Sequence, residues 1–134
     1  MILIDTNILI YAHVNSFAQH NRAREWLDQQ LNAAAFIGLP VGQHAHIPTV
    51  LVTNPCVFQH PESMRDAWKQ VCTWLSSETA WVPQPTERHA ELLDRFLAVP
   101  GVHGNLVPDA HLAALAVEHG LTLCSTDGDF ARFQ

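Results

Sequence analysis

Three aspartates of this chain occupy positions from which their carboxylates can meet, although they are far apart in the sequence. Asp5 follows an apolar segment at the start of the chain, Asp109 begins a helix-like segment, and Asp127 follows an apolar segment near the end. If the two apolar segments are parallel strands of one sheet, Asp5 and Asp127 emerge at its carboxyl edge, where open α/β sheets place their sites. Carboxylates gathered there repel one another, and a hard divalent cation relieves that repulsion. The pattern therefore predicts a magnesium or manganese site.

The elements that would position these aspartates alternate between short apolar strands and amphipathic helices. Such alternation predicts βαβ units and an α/β fold, with a mainly parallel central sheet flanked by helices on both faces. The predicted strands span residues 1–4, 34–39, 80–82 and 121–125. The predicted helices span residues 7–13, 18–32, 62–75, 86–97 and 108–119, with Thr6 or Asn7 capping the first and Thr86 the fourth.

Within two of these helices, apolar side chains recur every three or four residues and predict buried faces. The predicted faces comprise Ala23, Trp26, Leu27 and Leu31 in one helix, and Met64, Ala67, Trp68, Val71, Cys72 and Leu75 in the other. We therefore assign Trp26, Trp68 and Trp74 to the core or to a dimer surface, and not to stacking against nucleic-acid bases.

Composition restricts the class of protein further. A chain of 134 residues with 48% apolar and 15% charged residues predicts one globular domain over residues 1–134. Three cysteines without a CxxC pair argue against a disulfide framework and against structural zinc. His44 and His46 are the closest histidine pair, but no metal-binding pattern organises them. No apolar segment approaches the ~20 residues of a membrane span, and no basic leader precedes Asp5, so we expect a cytoplasmic protein.

The net charge of −6 argues against a generic nucleic-acid-binding protein, because phosphate contacts supply most non-specific affinity. It does not exclude a nuclease whose metal ions bridge carboxylates and substrate. With only seven lysines and arginines, any RNA contact must be local or shared across a dimer.

The three acidic segments together resemble the PIN-domain ribonuclease family. Within that family, the chain is most similar to the VapC toxins of bacterial type II toxin–antitoxin modules, especially those of actinobacteria. The segments that carry the resemblance are Asp5-Thr6-Asn7, residues 109–116 and Ser125-Thr126-Asp127-Gly128-Asp129-Phe130, supported by Gly38-Leu39-Pro40, Thr53-Asn54-Pro55, Gly104-Asn105-Leu106 and Glu118-His119-Gly120. They occur in the family's order and cover nearly the whole chain.

This resemblance implies a PIN-like three-layer fold and a small Mg²⁺- or Mn²⁺-dependent endoribonuclease. It implies an RNA substrate, a VapB-type antitoxin that inhibits the enzyme near its acidic site, and a homodimer. Carried over residue by residue, it makes Asp5, Asp109 and Asp127 the catalytic, metal-binding residues and Asp129 a fourth metal ligand. Asn7 and Thr126 become supporting polar residues. The chemistry is consistent, because carboxylate-bound divalent ions activate water and neutralise charge on the leaving oxygen of a phosphodiester.

Each acidic residue also has a purely structural interpretation. Asp5 could cap the following helix, and Asp109 could interact with the positive end of its own helix dipole. The segment from Asp127 to Asp129 could be only a turn, since Asp-Gly is strongly turn-forming. We expect His111 to line a helix face and to take no part in catalysis.

Two regions depart from the family pattern. The family usually carries a further acidic residue, commonly Glu, in the helix after the second strand, but residues 29–61 contain no acid. Residues 41–52 also include Gly42 and Pro48, which disfavour a helix. One choice of codons for residues 41–50, read one base later, encodes Trp-Ala-Ser-Met-Leu-Thr-Phe-Leu-Arg, which resembles the family sequence. We therefore hypothesise two compensating frameshifts, to be tested by resequencing. We also expect the short end at Gln134 to expose a sheet edge.

Three functions remain open from sequence. The first is a metal-dependent ribonuclease toxin, and the second is an impaired PIN domain that only binds antitoxin or another copy of itself. Growth arrest that depends on Asp5 and Asp109 separates the two. The third is a haloacid-dehalogenase-like phosphatase, which requires a second Asp two residues after the nucleophile. Asn7 occupies that position and argues against it.

Overall fold

A parallel four-stranded sheet forms the centre of the fold. The computed structural model describes residues 1–41 and 52–133. The strands lie in the order β3-β2-β1-β4, and every neighbouring pair is parallel. Their bounds are β1 Ile2–Ile4, β2 Ile37–Gly38, β3 Ala80–Trp81 and β4 Thr122–Cys124. The predicted α/β class, with a parallel sheet flanked by helices, is confirmed.

Five α-helices cover the sheet within the described ranges. Their bounds are α1 Thr6–His13, α2 His20–Leu31, α3 Met64–Leu75, α4 His89–Leu97 and α5 Val107–Glu118. Two short 3₁₀ segments, Gly104–Leu106 and Gly128–Phe133, precede α5 and follow β4. Each helix corresponds to one predicted from the sequence, with ends that differ by no more than three residues. None of the helices described is long and apolar enough to cross a bilayer.

The central strand β1 divides the core into two layers, because successive side chains of a strand point to opposite faces. Ile4 packs in the cluster that α1, α2 and α3 form on one face, and Leu3 packs with α5 on the other. Both side chains are fully buried. In β2, Gly38 permits close packing, since a Cβ there would lie 2.8 Å from Pro83 Cγ.

Several local predictions were wrong. The N-cap of α1 is Asp5 and not Thr6 or Asn7, and α4 begins at His89 after the N-cap residue Arg88. Thr86 instead precedes the helix, where its hydroxyl accepts a hydrogen bond of 3.2 Å from the Arg88 backbone N–H.

The apolar face of α3 also differs from the predicted one. Ala67, Val71 and Trp74 are buried, whereas Met64 and Trp68 are exposed. The predicted face combined two adjacent stripes of the helix, and only the stripe with Ala67, Val71 and Trp74 is buried. Residues 42–51 lie outside the described residues. The predictions that fall on this segment are the missing acid, the proposed frameshift and the pair His44 and His46.

Candidate active site

Asp5 and the loop after β4 lie side by side at the carboxyl edge of the sheet. Ile4 pairs with Cys124 in the parallel ladder, and the Asp5 backbone N–H donates a 2.9 Å hydrogen bond to the Cys124 carbonyl. The ladder therefore brings the residues that follow both strands to one edge. This is the juxtaposition that the two apolar segments predicted.

The Asp5 side chain is buried and is held by the loop that follows β4. Asp5 is 4% exposed, and the Ser125 hydroxyl donates a 2.6 Å hydrogen bond to its Oδ2 atom. That length is typical of a charge-assisted bond from a hydroxyl to a carboxylate. Although Asp5 occupies the N-cap position of α1, its side chain makes no capping hydrogen bond. The Ser125 hydroxyl is therefore the side-chain partner that holds this carboxylate.

Burial is the main influence on the ionisation of Asp5. Desolvation raises the pKa of its carboxyl group above the usual value of 3.8, and the charge of Asp127 raises it further. The Ser125 hydroxyl and the backbone amides of Asn7 and Thr6 act in the opposite direction. Because the net shift is upward, the surroundings do not fully compensate the negative charge.

Asp109 reaches the same edge from the first turn of α5. Desolvation raises the pKa of its carboxyl group to about 6, and the charges of Asp5, Asp127 and Asp129 add to the rise, in that order. A carboxylate in the first turn of a helix is normally stabilised by the helix dipole. The dipole favours the charged form of a carboxylate, so the helix-terminus interpretation does not explain the raised pKa of Asp109.

The segment Asp127–Asp129 forms a turn that is tied to the Asp5 site. Asp127 donates its backbone N–H to Ser125 Oγ at 2.9 Å, and its Oδ1 atom accepts the Asp129 backbone N–H at 2.9 Å. Asp129 also forms an ion pair with Arg132, with 3.5 Å between Oδ1 and Nε. The turn interpretation is thus part of the structure, and Asp129 already has a cationic partner.

The chemistry of these donors fits a hard divalent cation, because neighbouring carboxylates add to the burial that raises the pKa of Asp109 and of Asp5. Their spacing is more open than a ligand shell. Within residues 1–41 and 52–133, no three His, Cys, Asp or Glu side chains are grouped closely enough to hold a metal ion. Asp5, Asp109, Asp127 and Asp129 therefore interact through their charges without forming a closed site.

Glu62 is the first acid after residues 29–61, but it does not replace the acidic residue that the family pattern leads us to expect. Glu62 hydrogen-bonds to the His13 ring, at the end of α1 opposite Asp5. An eight-residue helix spans about 12 Å, so this carboxylate lies well away from the Asp5 site. Glu62 also has no part in the pKa shifts of Asp5 and Asp109.

The predicted supporting residues, Asn7 and Thr126, differ in how they are placed relative to Asp5. Asn7 faces Asp5 through its backbone amide, and Thr126 is exposed on the loop after β4. Ser125 holds both Asp5 and Asp127, and sequence reasoning assigned it no role. The signal was present, since Ser125 directly follows the strand that pairs with β1, but serine is also common in turns that bind nothing.

A second polar cluster lies on α4 and α5, and it includes His111. The His111 Nδ1 atom is 3.1 Å from His89 Nε2, and His89 Nδ1 is 3.1 Å from Glu118 Oε1. Burial, followed by the charge of His89, lowers the pKa of His111. His111 therefore faces α4, which agrees with the prediction that it lines a helix face.

The described fold and its acidic edge define a small α/β protein of the PIN type. No protein-family model matches the chain. Curated proteins do match it over nearly their full length. Ribonuclease VapC37 of Mycobacterium tuberculosis is 40% identical over 139 residues, which cover 100% of this chain and 92% of that protein. VapC ribonuclease Mb2897 of Mycobacterium bovis is 37% identical, with 100% and 90% covered. Ribonuclease VapC25 of M. tuberculosis is 35% identical, with 99% and 93% covered.

Identity of this extent over whole chains shows the family. The chain belongs to the VapC ribonucleases, as its three acidic segments predicted.

Proposed function

We propose that this protein is the toxin of a type II toxin–antitoxin module and that it hydrolyses RNA with the help of Mg²⁺ or Mn²⁺. The observation that carries the proposal is that Asp5, Asp109 and Asp127, which come from distant parts of the chain, lie close enough for the charge of Asp127 to add to the raised pKa of Asp5 and for both charges to add to the raised pKa of Asp109. Perturbed carboxylates of this kind cluster at functional sites. The names of the relatives, which describe them as ribonucleases, support the same activity.

In this proposal Asp5, Asp109 and Asp127 hold the cation and Asp129 is a fourth ligand. The bound cation supplies a Lewis acid for the scissile phosphate and lowers the pKa of water. Ser125 fixes the Asp5 carboxylate through its hydroxyl and holds the Asp127 backbone in place. Asn7 and Thr126 provide polar groups at the rim.

The decisive experiment measures cleavage of a total RNA preparation by the purified protein with and without added Mn²⁺. We expect Asp5→Asn and Asp109→Asn each to lower the rate by about 100-fold or more, since even indirect partners of a metal ion are worth 10- to 100-fold. Asp94→Asn is the matched control, because Asp94 is exposed on α4 and takes no part in the pKa shifts at the acidic edge. Cleavage that persists in Asp5→Asn, or that needs no divalent ion, would refute the proposal.

A second function is favoured by one specific observation. Residues 29–61 contain no acid, and Glu62 is bound to His13. A site with one carboxylate fewer supports a protein that binds its antitoxin without cutting RNA. In that case the protein forms a complex with a VapB-type antitoxin, but its RNA cleavage stays at background with Mg²⁺ or Mn²⁺.

The remaining partners follow from the family resemblance. We propose that a VapB-type antitoxin inhibits the protein and that the protein is a homodimer. Exposed apolar side chains on α3, Met64 at 54% and Trp68 at 49% exposed, support an association surface. Light scattering on the purified chain measures the mass directly, and a mass of one chain at micromolar concentration argues against the dimer.

A further inference from the structure

A cavity of about 550 Å³ opens beside the acidic edge, between α1, α2 and the loop after β4. This volume lies within the range of about 300–1,000 Å³ that is typical of small-ligand sites. Its walls combine aromatic, aliphatic and polar side chains with one cation. The lining residues are Ile8, Tyr11, Gln19, Arg22, Ala23, Trp26, Leu123, Cys124, Ser125 and Thr126.

The cavity shares a wall with the proposed catalytic residues. Ser125 and Thr126 line the cavity, and the Ser125 hydroxyl is the group that bonds to Asp5. A ligand in the cavity would therefore contact Ser125, the residue whose hydroxyl donates to the Asp5 carboxylate. A polymer with its phosphate at Asp5 would place a neighbouring unit against this wall.

Two aromatic side chains give the cavity flat apolar surfaces. Tyr11 and Trp26 are both half-buried, and Trp26 packs partly against the core. The Tyr11 ring is held by an edge-on contact with Phe17, with centroids 5.1 Å apart. Rings that are held in place and partly exposed can stack against a planar group without a large loss of side-chain entropy.

Arg22 supplies the positive charge. It is exposed on α2 and forms no ion pair with any residue in the described ranges. A guanidinium without a carboxylate partner, one helical turn from Trp26, is suited to a phosphate. This arrangement is notable in a chain with only seven basic residues.

We propose that this cavity is a nucleotide subsite of the ribonuclease, in which Trp26 and Tyr11 stack on one base and Arg22 holds its phosphate. The inference rests on the proposed function for the identity of the polymer, but binding to the subsite does not require the acidic residues. It reverses the expectation from the helical pattern, which placed Trp26 in the core or at a dimer surface and not against a base, since the pattern cannot show that a cavity adjoins the ring. A pocket of this kind determines which base is accepted beside the cut.

The first test uses NMR of the ¹⁵N-labelled full chain in the absence of divalent metal. The Trp26 indole resonance is assigned with Trp26→Phe, and the probes are the four nucleoside 5′-monophosphates, ribose 5-phosphate and inorganic phosphate. We expect saturable shifts of the Trp26 resonance with the monophosphates and none with the two probes that lack a base. Equal shifts with inorganic phosphate, or no saturation with any nucleotide, overturn the subsite.

Variants on α2 provide the control. Arg22→Gln is expected to weaken nucleotide binding about tenfold, and Trp26→Leu by a similar factor, in keeping with the energy of base–aromatic stacking. Arg24→Gln is matched, because Arg24 is exposed on the same helix and lines a different cavity. Equal weakening by Arg24→Gln and Arg22→Gln overturns the assignment. If Trp26→Leu does not fold, Trp26→Phe and Arg22→Gln carry the test.

The second test separates this inference from the proposed function. In RNA cleavage, Arg22→Gln raises KM with little change in kcat, whereas Asp5→Asn lowers kcat. If Asp5→Asn still cleaves RNA while the nucleotides bind as expected, the proposed function fails and the subsite stands. If the Arg22 and Trp26 variants keep normal nucleotide binding and KM but lose inhibition by the antitoxin, the cavity belongs to the antitoxin and the subsite is refuted.

Discussion

Two regions of this molecule bury carboxylates, and they treat the charge in opposite ways. Glu118, at the end of α5, has a fully buried side chain that accepts hydrogen bonds from the Thr86 hydroxyl at 3.1 Å and from the His89 ring at 3.1 Å. Asp5 is also buried, but its side chain has Ser125 as its side-chain partner and other carboxylates nearby. The first region joins α4 to α5, and the second retains unrelieved repulsion.

The difference indicates which carboxylates stabilise the fold and which are available for chemistry. A buried charge that is fully hydrogen-bonded contributes to structure, whereas one with incomplete compensation costs stability. Proteins keep such a cost mainly at functional sites. Burial and the neighbouring carboxylates raise the pKa of Asp109 at the acidic edge, whereas the buried Glu118 carboxylate is bonded to Thr86 and His89.

Removal of the Glu118 carboxylate, which is fully hydrogen-bonded, should have the largest effect on stability. Glu118→Ala leaves the buried His89 ring and the exposed Thr86 hydroxyl without their acceptor, and we expect a loss of about 1–3 kcal/mol in the free energy of unfolding. Urea denaturation measures it. Glu91→Ala is the control, because Glu91 is an exposed acid on α4. A loss no larger than that of the control would show that the cluster does not hold the two helices together.

Removal of the hydroxyl that holds Asp5 should have a smaller effect. Ser125→Ala deprives the Asp5 carboxylate of its 2.6 Å hydrogen bond, and we expect a loss of about 1 kcal/mol at pH 7. Thr126→Ala, which removes an exposed hydroxyl from the next residue, is the comparison in the same urea assay. If the two variants have equal stability, the bond between Ser125 and Asp5 contributes nothing measurable.

The smallest effect on stability is expected from the ionisation of Asp109 as pH changes. The pKa of Asp109 is about 6 in the folded protein against an ordinary value of 3.8, so the folded state binds more protons between these values. Metal-free protein should therefore lose stability as pH rises from about 4 to about 6, and Asp109 adds no further loss above about 7. Asp109→Asn should flatten this dependence, by less than about 1 kcal/mol since the residue is partly exposed.

Thermal unfolding at a series of pH values, with a chelator present, measures the pH effect. Added Mn²⁺ should raise Tm at pH 7 in the wild type and not in Asp109→Asn. A wild-type profile that coincides with that of Asp109→Asn would contradict the raised pKa and remove the distinction between the two regions.

The sequence predicted the elements more reliably than their local details. Alternating apolar and amphipathic segments predicted the order of strands and helices, since both periodicities are local properties of the chain. The caps were less predictable. Asp5, Thr6 and Asn7 are all good N-cap residues, and only the end of β1 decides that Asp5 takes the position. The buried face of α3 was ambiguous for a similar reason. Two neighbouring stripes of the helix are apolar, and the sequence does not indicate which of them is buried.

For the candidate site, the sequence determined which residues carry charge and in which order they follow strands and helices. Residue types and spacing were sufficient to indicate Asp5, Asp109 and Asp127, and the resemblance of their segments to known proteins indicated the VapC family. Ser125 as their organiser and the cavity at Arg22 and Trp26 required the tertiary structure. Hydrogen-bond partners, burial and cavities arise between segments that are distant in the chain. Their energies depend on three-dimensional distances, which sequence spacing does not encode.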